Sequence, residues 1–506
     1  MNPPFLHRRR TTGLKAVVVL TLAVVAFHAL TNHRYGFHRD ELAVVDDAQH
    51  LAWGYVAYPP VTPFIARVAF TLFGPSLVGL RLFSSLVIGF AMILTALMAR
   101  KLGGSGRAQV LAAVATGIAP IALISGSLFQ YVAFDYLWWV LLTYLLIHLI
   151  KSENPRYWLA IGAVIGIGMM TKYTIGLLVI GIVTGVMLTP LRRHLRSPWL
   201  WSGVVLSVII FSPNLIWQVQ HDFISLDFLR AIHDRDTRIG RTDKNFLEQF
   251  FVCANIVTIP IWIRGLWSYL RLEELRQYRM LGWIFIVVLA LLLLTEGRSY
   301  YIAPAYPMLF AAGVVTWEQR LAQLSPGSAR RRLLSRWTSL VVGAVVFGAV
   351  MLPLAPVNSA WWKFTDKLHD NFREEIGWPE LVQTVADIYH GLPVDQKQRA
   401  AILTGNYGEA GAINLYGPAH GLPQAISGVN SYWLRGSSDP PPETVIVLGF
   451  SEERLNRLFM HCQLAGHVTN AFGVKNQETT YHPNIFVCNR PREPWDSLWV
   501  KLRSFG

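Results

Sequence analysis

Long apolar runs, separated by short basic stretches, recur between residues 15 and 356. Their length and periodicity predict helices near 15–31, 77–99, 107–125, 132–150, 157–171, 174–189, 199–217, 249–270, 280–296, 301–318 and 336–356, about eleven membrane crossings. Residues 157–189 are apolar enough for one helix, but at 1.5 Å per residue it would be about 50 Å long, against a hydrocarbon core of about 30 Å. A break near Thr171, Lys172 and Tyr173 gives two short helices instead. The same reasoning breaks 107–150 around 125–135 and brings Asp135 towards the outer face.

Basic residues orient these runs. Arg8, Arg9 and Arg10 precede the first; Lys101, Lys151, Arg192, Arg271 and Arg330 each follow an even-numbered one. All fall on one side, which the positive-inside rule makes cytoplasmic. The start, MNPPFLHRRRTTGLK and then apolar residues to 31, has no clear small-residue cleavage site. An uncleaved first helix is expected rather than a signal peptide.

The first outer loop, 32–76, carries two further helical patterns. Leu42, Val45, Ala48, Leu51 and Ala52 recur at helical spacing, and 62–73 is a second apolar stretch after Pro59 and Pro60. Both read as amphipathic helices on the membrane surface, with Asp46 and Asp47 on the wet face. Residues 218–248 mix charges of both signs and read as a partly mobile loop.

Beyond residue 358 the apolar runs shorten and Gly, Pro, Asn and charged residues become frequent. A helical pattern at 377–392, strand-like runs at 400–403, 444–448 and 485–488, and a helix cap at Ser451 predict a soluble α/β domain. The division expected is 1–357 for the membrane domain and 358–506 for an extracytoplasmic C-terminal domain.

Composition agrees with a membrane protein: 53% of residues are hydrophobic and 15% charged, where soluble domains carry about 25% charged residues. The net charge of +14 sits in short loops rather than one stripe, so nucleic acid is not an expected partner. Of three cysteines, Cys253 lies in an apolar run; Cys462 and Cys488 either pair or remain free thiols.

Charged residues far apart in sequence are expected on the outer face. Asp40 and Glu41 open the first loop; Asp135 and Lys172 sit at helix breaks; Arg298, Tyr300 and Tyr301 lie in TEGRSYYIAPAYP. Cations suit a phosphate, and a carboxylate suits a general base. A sugar linked through phosphate to an isoprenoid tail would meet both. Plainer readings exist for each: helix caps for Asp40, Glu41 and Asp135, a snorkelling side chain for Lys172 or Arg298, an interfacial aromatic belt for Tyr300 and Tyr301. His50 and His221 show no metal-ligand spacing, and the sequence has no Walker A loop, G-x-S-x-G elbow or H-E-x-x-H. The glycines of GAVIGIG at 162–168 read as helix packing.

The stretch DELAVVDDAQHLAWGYVAYPP, from Asp40 to Pro60, resembles the first-loop signature of GT-C membrane glycosyltransferases, of the protein-mannosyltransferase and lipid A aminoarabinose- or galacturonosyltransferase kind (glycosyltransferase families 39 and 83). The similarity continues at Asp135, at Thr171 to Tyr173, at PNLIWQVQH and from Arg298 to Pro307. One departure is Leu42-Ala43-Val44-Val45, where many relatives carry aromatic residues. The resemblance implies a GT-C fold in a bacterial inner membrane. It also implies inverting transfer from a polyprenyl-phosphate sugar to an extracytoplasmic acceptor in the cell envelope. Asp40 would be the catalytic aspartate, Asp135 the second acid, Glu41 an orienting group, and Lys172, Arg298, Tyr300 and Tyr301 the donor-phosphate site. No cofactor is assigned. A divalent ion shared by Asp40 and Asp135 stays open, since spacing does not decide it. Two other functions compete: a lipid or small-molecule transporter, with charges lining a path through the midplane, and a non-catalytic scaffold indifferent to Asp40→Asn.

Overall fold

The computed structural model describes residues 13–506, and Arg8, Arg9 and Arg10 lie outside the described residues. The chain forms two compact units interleaved in sequence. The first takes the chain through Thr31, Arg81–Trp217 and His233–Leu352; the second takes Asn32–Leu80, Gln218–Ile232 and Pro353–Gly506. The loop 32–76, placed with the membrane helices by a linear division at 357, thus packs with the C-terminal segment.

The first unit is helical and apolar, as a multi-pass membrane protein requires. Among the described residues, six single helices are long and apolar enough to cross a bilayer, and counting three bent pairs as one span each gives nine. Length and apolarity alone thus give six to nine spans among the described residues, against the about eleven helices expected. Local chemistry explains the differences. Residues 249–270 divide into Asn245–Cys253 and Ile256–Arg271, bent by 91°. Helix begins only at Tyr306 rather than 301, after a tight turn Ser299–Ala305 containing Pro304, which has no N–H to give. Gly106–Gly117 and Pro120–Ser127 bend by 66° at Pro120 for the same reason.

The break expected near Lys172 is present: one helix is Tyr157–Met169 and the next Ile175–Met187. The helix before them begins at Tyr131, four residues before Asp135. Gly162 packs where a Cβ would lie 2.0 Å from the carbonyl oxygen of Gly203, so the glycines of this run do serve close helix packing.

The second unit carries the sheet. Strands β1 (Ala400–Thr404), β2 (Ala425–Ser427), β3 (Thr444–Leu448), β4 (Phe459–His467) and β5 (Asn484–Pro491) lie in the order β2-β1-β3-β5-β4. β1 pairs in parallel with β2 and β3, while β5 is antiparallel to β3 and β4. β1, β3 and β5 match the expected strands. β2 has only three residues, and the largely exposed β4 lacks regular alternation, so neither was visible as a pattern. The expected helix is Trp378–Gly391, and Ser451 caps Glu452–Leu458 by accepting from the N–H of Arg454. Cys462 and Cys488 form a disulfide between β4 and β5.

The first-loop helices are Arg39–Gln49 and Val61–Phe73. The apolar stripe of Arg39–Gln49 packs on helix Tyr407–Tyr416, so protein covers it. At Gly411 a Cβ would come within 2.7 Å of the Leu42 backbone. Val61–Phe73 keeps Phe64, Leu72 and Phe73 exposed, as a surface helix on a membrane would. Residues 218–248, read as a loop, contain the helix Ile224–Arg238.

Asp46 and Asp47 are not on a wet face; they are 2% and 4% exposed. Arg435 forms ion pairs with both carboxylates. Asn414 donates to Asp46 at 2.8 Å, and the Tyr58 hydroxyl donates to Asp47 at 2.6 Å. The helical pattern showed two faces. It could not show that the polar face meets an arginine nearly four hundred residues later.

Removing the cation would strand two buried carboxylates. Arg435→Ala is expected to destabilise the protein by about 3 kcal/mol, read as a lower thermal midpoint in detergent. An unchanged midpoint would contradict the clamp.

Candidate functional site

Two clusters hold the expected residues. Asp40 and Glu41 belong to the second unit; Asp135, Lys172, Arg298, Tyr300 and Tyr301 belong to the first.

Asp40 sits in the first turn of helix Arg39–Gln49. His38 is the N-cap, in an extended conformation, and its Nδ1 accepts from the N–H of Asp40 at 3.2 Å. The His38 N–H donates to Glu41 Oε2 at 2.8 Å, closing a capping box. Glu41 is fully buried. It fixes where the helix starts, and therefore where Asp40 points. Asp40 is 41% exposed, and its Oδ1 accepts a 2.8 Å hydrogen bond from the Tyr407 hydroxyl.

Arg39 lies over the Tyr407 ring, 4.9 Å from its centroid, and 3.7 Å from Glu374. Glu374, Glu409 and Glu478 are all buried near this one guanidinium. Glu409 accepts from the N–H groups of Gly405 and Asn406, and the Asn406 amide donates to Glu478 at 3.4 Å. Burial, reinforced by neighbouring Glu478, pushes the Glu409 carboxyl up to about 8 and that of Glu374 up to about 7.

In the first unit, Asp135 is not a helix cap. It is buried in the second turn of Tyr131–Ser152, accepting from Trp139 Nε1 at 3.1 Å and from the Thr174 hydroxyl at 2.8 Å. Lys172 Nζ lies 4.0 Å from its Oδ2. The ammonium is walled by three rings, with centroids of Tyr301 at 4.2 Å and of Tyr131 and Tyr300 each at 5.2 Å. Lys172 is 8% exposed, and Nζ has no hydrogen-bond acceptor among the described residues. A lysine reaching for lipid headgroups would not be caged in this way. Thr171, beside it, accepts from Trp138 Nε1 at 2.9 Å.

Arg298 is less available than the sequence implied. Its Nε donates to buried Asp236 at 2.6 Å and its Nη1 to the Tyr300 hydroxyl at 3.2 Å. It thereby fixes Tyr300 against Lys172. Sequence reasoning missed Tyr131, Thr174 and Asp236 here, and Arg39, Tyr407 and Arg435 in the second unit. Tyr131 and Thr174 flank the two helix breaks and were open to discovery. Tyr407 and Arg435 were not, because nothing local marks their partners. Among the described residues, no group of three or more His, Cys, Asp or Glu side chains is arranged to hold a metal ion.

Residues 57–217 match the family model described as dolichyl-phosphate-mannose-protein mannosyltransferase. The structure resembles ArnT from Cupriavidus metallidurans bound to undecaprenyl phosphate, with a TM-score of 0.60 and 15% identity over 94% of this chain and 98% of that one. The fold is that of ArnT. The apo form of ArnT matches equally well, at a TM-score of 0.59. The apo oligosaccharyltransferase of Archaeoglobus fulgidus is more distant, at 0.50 and 11% identity over 87% of this chain and 70% of that one. An uncharacterized protein of Aquifex aeolicus is 22% identical over 320 residues, a match spanning 59% of this chain and 61% of that protein.

The raised carboxyls make stability depend on pH. An acid that holds its proton more tightly when folded stabilises the fold at low pH. That stabilisation fades as pH rises from the ordinary glutamate value of 4.5 through about 8 for Glu409. The protein is therefore expected to melt at a higher temperature at pH 6 than at pH 8.5. Glu409→Gln keeps an acceptor for both N–H groups. It should flatten this dependence and raise the pH 8.5 midpoint by about 2 °C. An identical pH slope in the variant would contradict the assignment.

Proposed function

We propose that this chain is a membrane glycosyltransferase that moves a sugar from a polyprenyl-phosphate donor to an extracytoplasmic lipid, glycan or protein, with inversion. The observation that carries the reading is the Lys172 ammonium: buried, caged by three tyrosines and without a hydrogen-bond acceptor among the described residues. A buried cation is costly unless something accepts its protons. The oxygens of a phosphate ester are suitable acceptors. The tyrosine faces favour the cation, and Asp135 holds it in place.

In this reading a bond forms from the acceptor oxygen or nitrogen to the anomeric carbon as the bond from that carbon to the phosphate oxygen breaks. The phosphate leaves with the electron pair, and Lys172 stabilises its charge. Asp40 takes the acceptor's proton. Of the first-loop acids, Asp40 suits this role because it is partly exposed, whereas Glu41 is buried in its capping box. Asp135, in contact with Lys172, positions the cation, and Arg298 orients Tyr300 rather than serving as the first phosphate ligand.

The reading draws support from the family match and from the ArnT fold, since that ArnT structure holds undecaprenyl phosphate. The Cys462–Cys488 disulfide fits an extracytoplasmic C-terminal domain in an oxidising compartment, and a bacterial inner membrane is the setting we infer. The donor sugar and the acceptor are left as classes.

Asp40→Asn is expected to cut transfer from an undecaprenyl-phosphate sugar by at least about 100-fold, with an unchanged melting temperature. Near-normal turnover would refute Asp40 as the base. Lys172→Ala should raise the donor KM by about tenfold and leave the acceptor KM unchanged. An unchanged donor KM would remove Lys172 from the phosphate site.

A further inference from the structure

The geometry points to Tyr407 as a positioning residue for Asp40, so that the C-terminal domain is part of the transfer machinery rather than an appendage. This inference rests on Asp40 being the base. Tyr407 is the first residue of helix Tyr407–Tyr416, directly after the Asn406 cap, and its hydroxyl donates to Asp40 Oδ1 across 367 positions of sequence.

The contact is built on both sides. Asn406 and Glu409 form a capping box that fixes the helix start. At Gly408 a Cβ would lie 3.0 Å from Arg39 Cβ and 2.8 Å from the Trp378 ring, so only glycine lets the helix approach this closely. The Arg39 guanidinium covers the Tyr407 ring, and the terminal Gly506 packs beside the ring edge, where a Cβ would lie 3.3 Å from Cδ1. Arg39 is itself held by Glu374.

The chemical consequence is directional. A surface aspartate in the first turn of a helix rotates among several rotamers. With Oδ1 held by a phenol, the carboxylate keeps one orientation and offers a fixed lone-pair direction to an acceptor hydroxyl or amine. The hydrogen bond acts on the proton-transfer step and not on substrate binding.

Tyr407→Phe removes the hydroxyl and keeps the ring under Arg39. With an undecaprenyl-phosphate hexose or pentose that the wild-type protein turns over, the variant is expected to lose about tenfold in kcat. Both substrate KM values and the melting temperature should stay unchanged. Tyr407→Ala, which also removes the ring, should lose at least as much in kcat. An unaltered kcat in Tyr407→Phe would overturn the inference, as would a loss accompanied by raised KM values and a lowered melting temperature. Asp40→Asn, assayed in parallel, separates the two claims. If it is inactive while Tyr407→Phe is fully active, only the positioning role fails; if it turns over normally, the assignment of Asp40 as base fails first.

Discussion

A carboxylate taken out of water must find a cation or a donor within reach, and helix Arg39–Gln49 takes out three. Glu41 is satisfied from within, by the His38 N–H. Asp46 and Asp47 meet their cation from the C-terminal segment, as Arg435, with Asn414 donating to Asp46 and Tyr58 of the same loop donating to Asp47. The first loop therefore depends on the C-terminal domain for its place, and the chain folds as interleaved units. Asp40 inherits its position from this arrangement. Its neighbours are buried and paired, while its own side chain is partly exposed, with Oδ1 accepting from Tyr407 and Oδ2 3.8 Å from His38 Nδ1.

The first unit follows the same rule with a different outcome. Asp135 is satisfied by Trp139, Thr174 and Lys172 together. Asp236 is satisfied by Arg298, with Arg235 and Arg241 nearby. Lys172 is stabilised by tyrosine faces and one carboxylate 4.0 Å away, yet among the described residues its N–H groups find no acceptor. Cation–π contact compensates part of an ammonium's lost hydration but offers no lone pair along its N–H bonds. That asymmetry is the ground on which we propose the pocket as a recognition site for an anion rather than a finished ion pair.

What the sequence revealed tracks how local each signal is. The hairpin break at Lys172 followed from helix length against bilayer thickness, and it correctly brought Lys172 and Asp135 towards one another. Strands β1, β3 and β5 followed from apolar runs, and Ser451 from cap chemistry. Failures came where a partner lies far along the chain. Periodicity shows that a helix has two faces, not what covers each, so Asp46 and Asp47 looked solvated and Tyr407 carried no mark at all. Unbroken helices were over-read where proline or a tight turn interrupts an apolar run, as at Pro120 and Pro304. Arg298 was visible as a cation, but its engagement by Asp236 was hidden in a segment that read as a loop.

If, as we propose, an isoprenoid phosphate completes the caged ammonium of Lys172, that lipid should travel with the protein. Mass spectrometry of the lipids retained by purified protein tests it most directly. The wild-type protein is expected to retain a polyprenyl phosphate or its sugar ester, and Lys172→Ala, equally well folded, to lose it. Retention of the same lipid by both proteins, or of bulk phospholipid alone by the wild type, would contradict it.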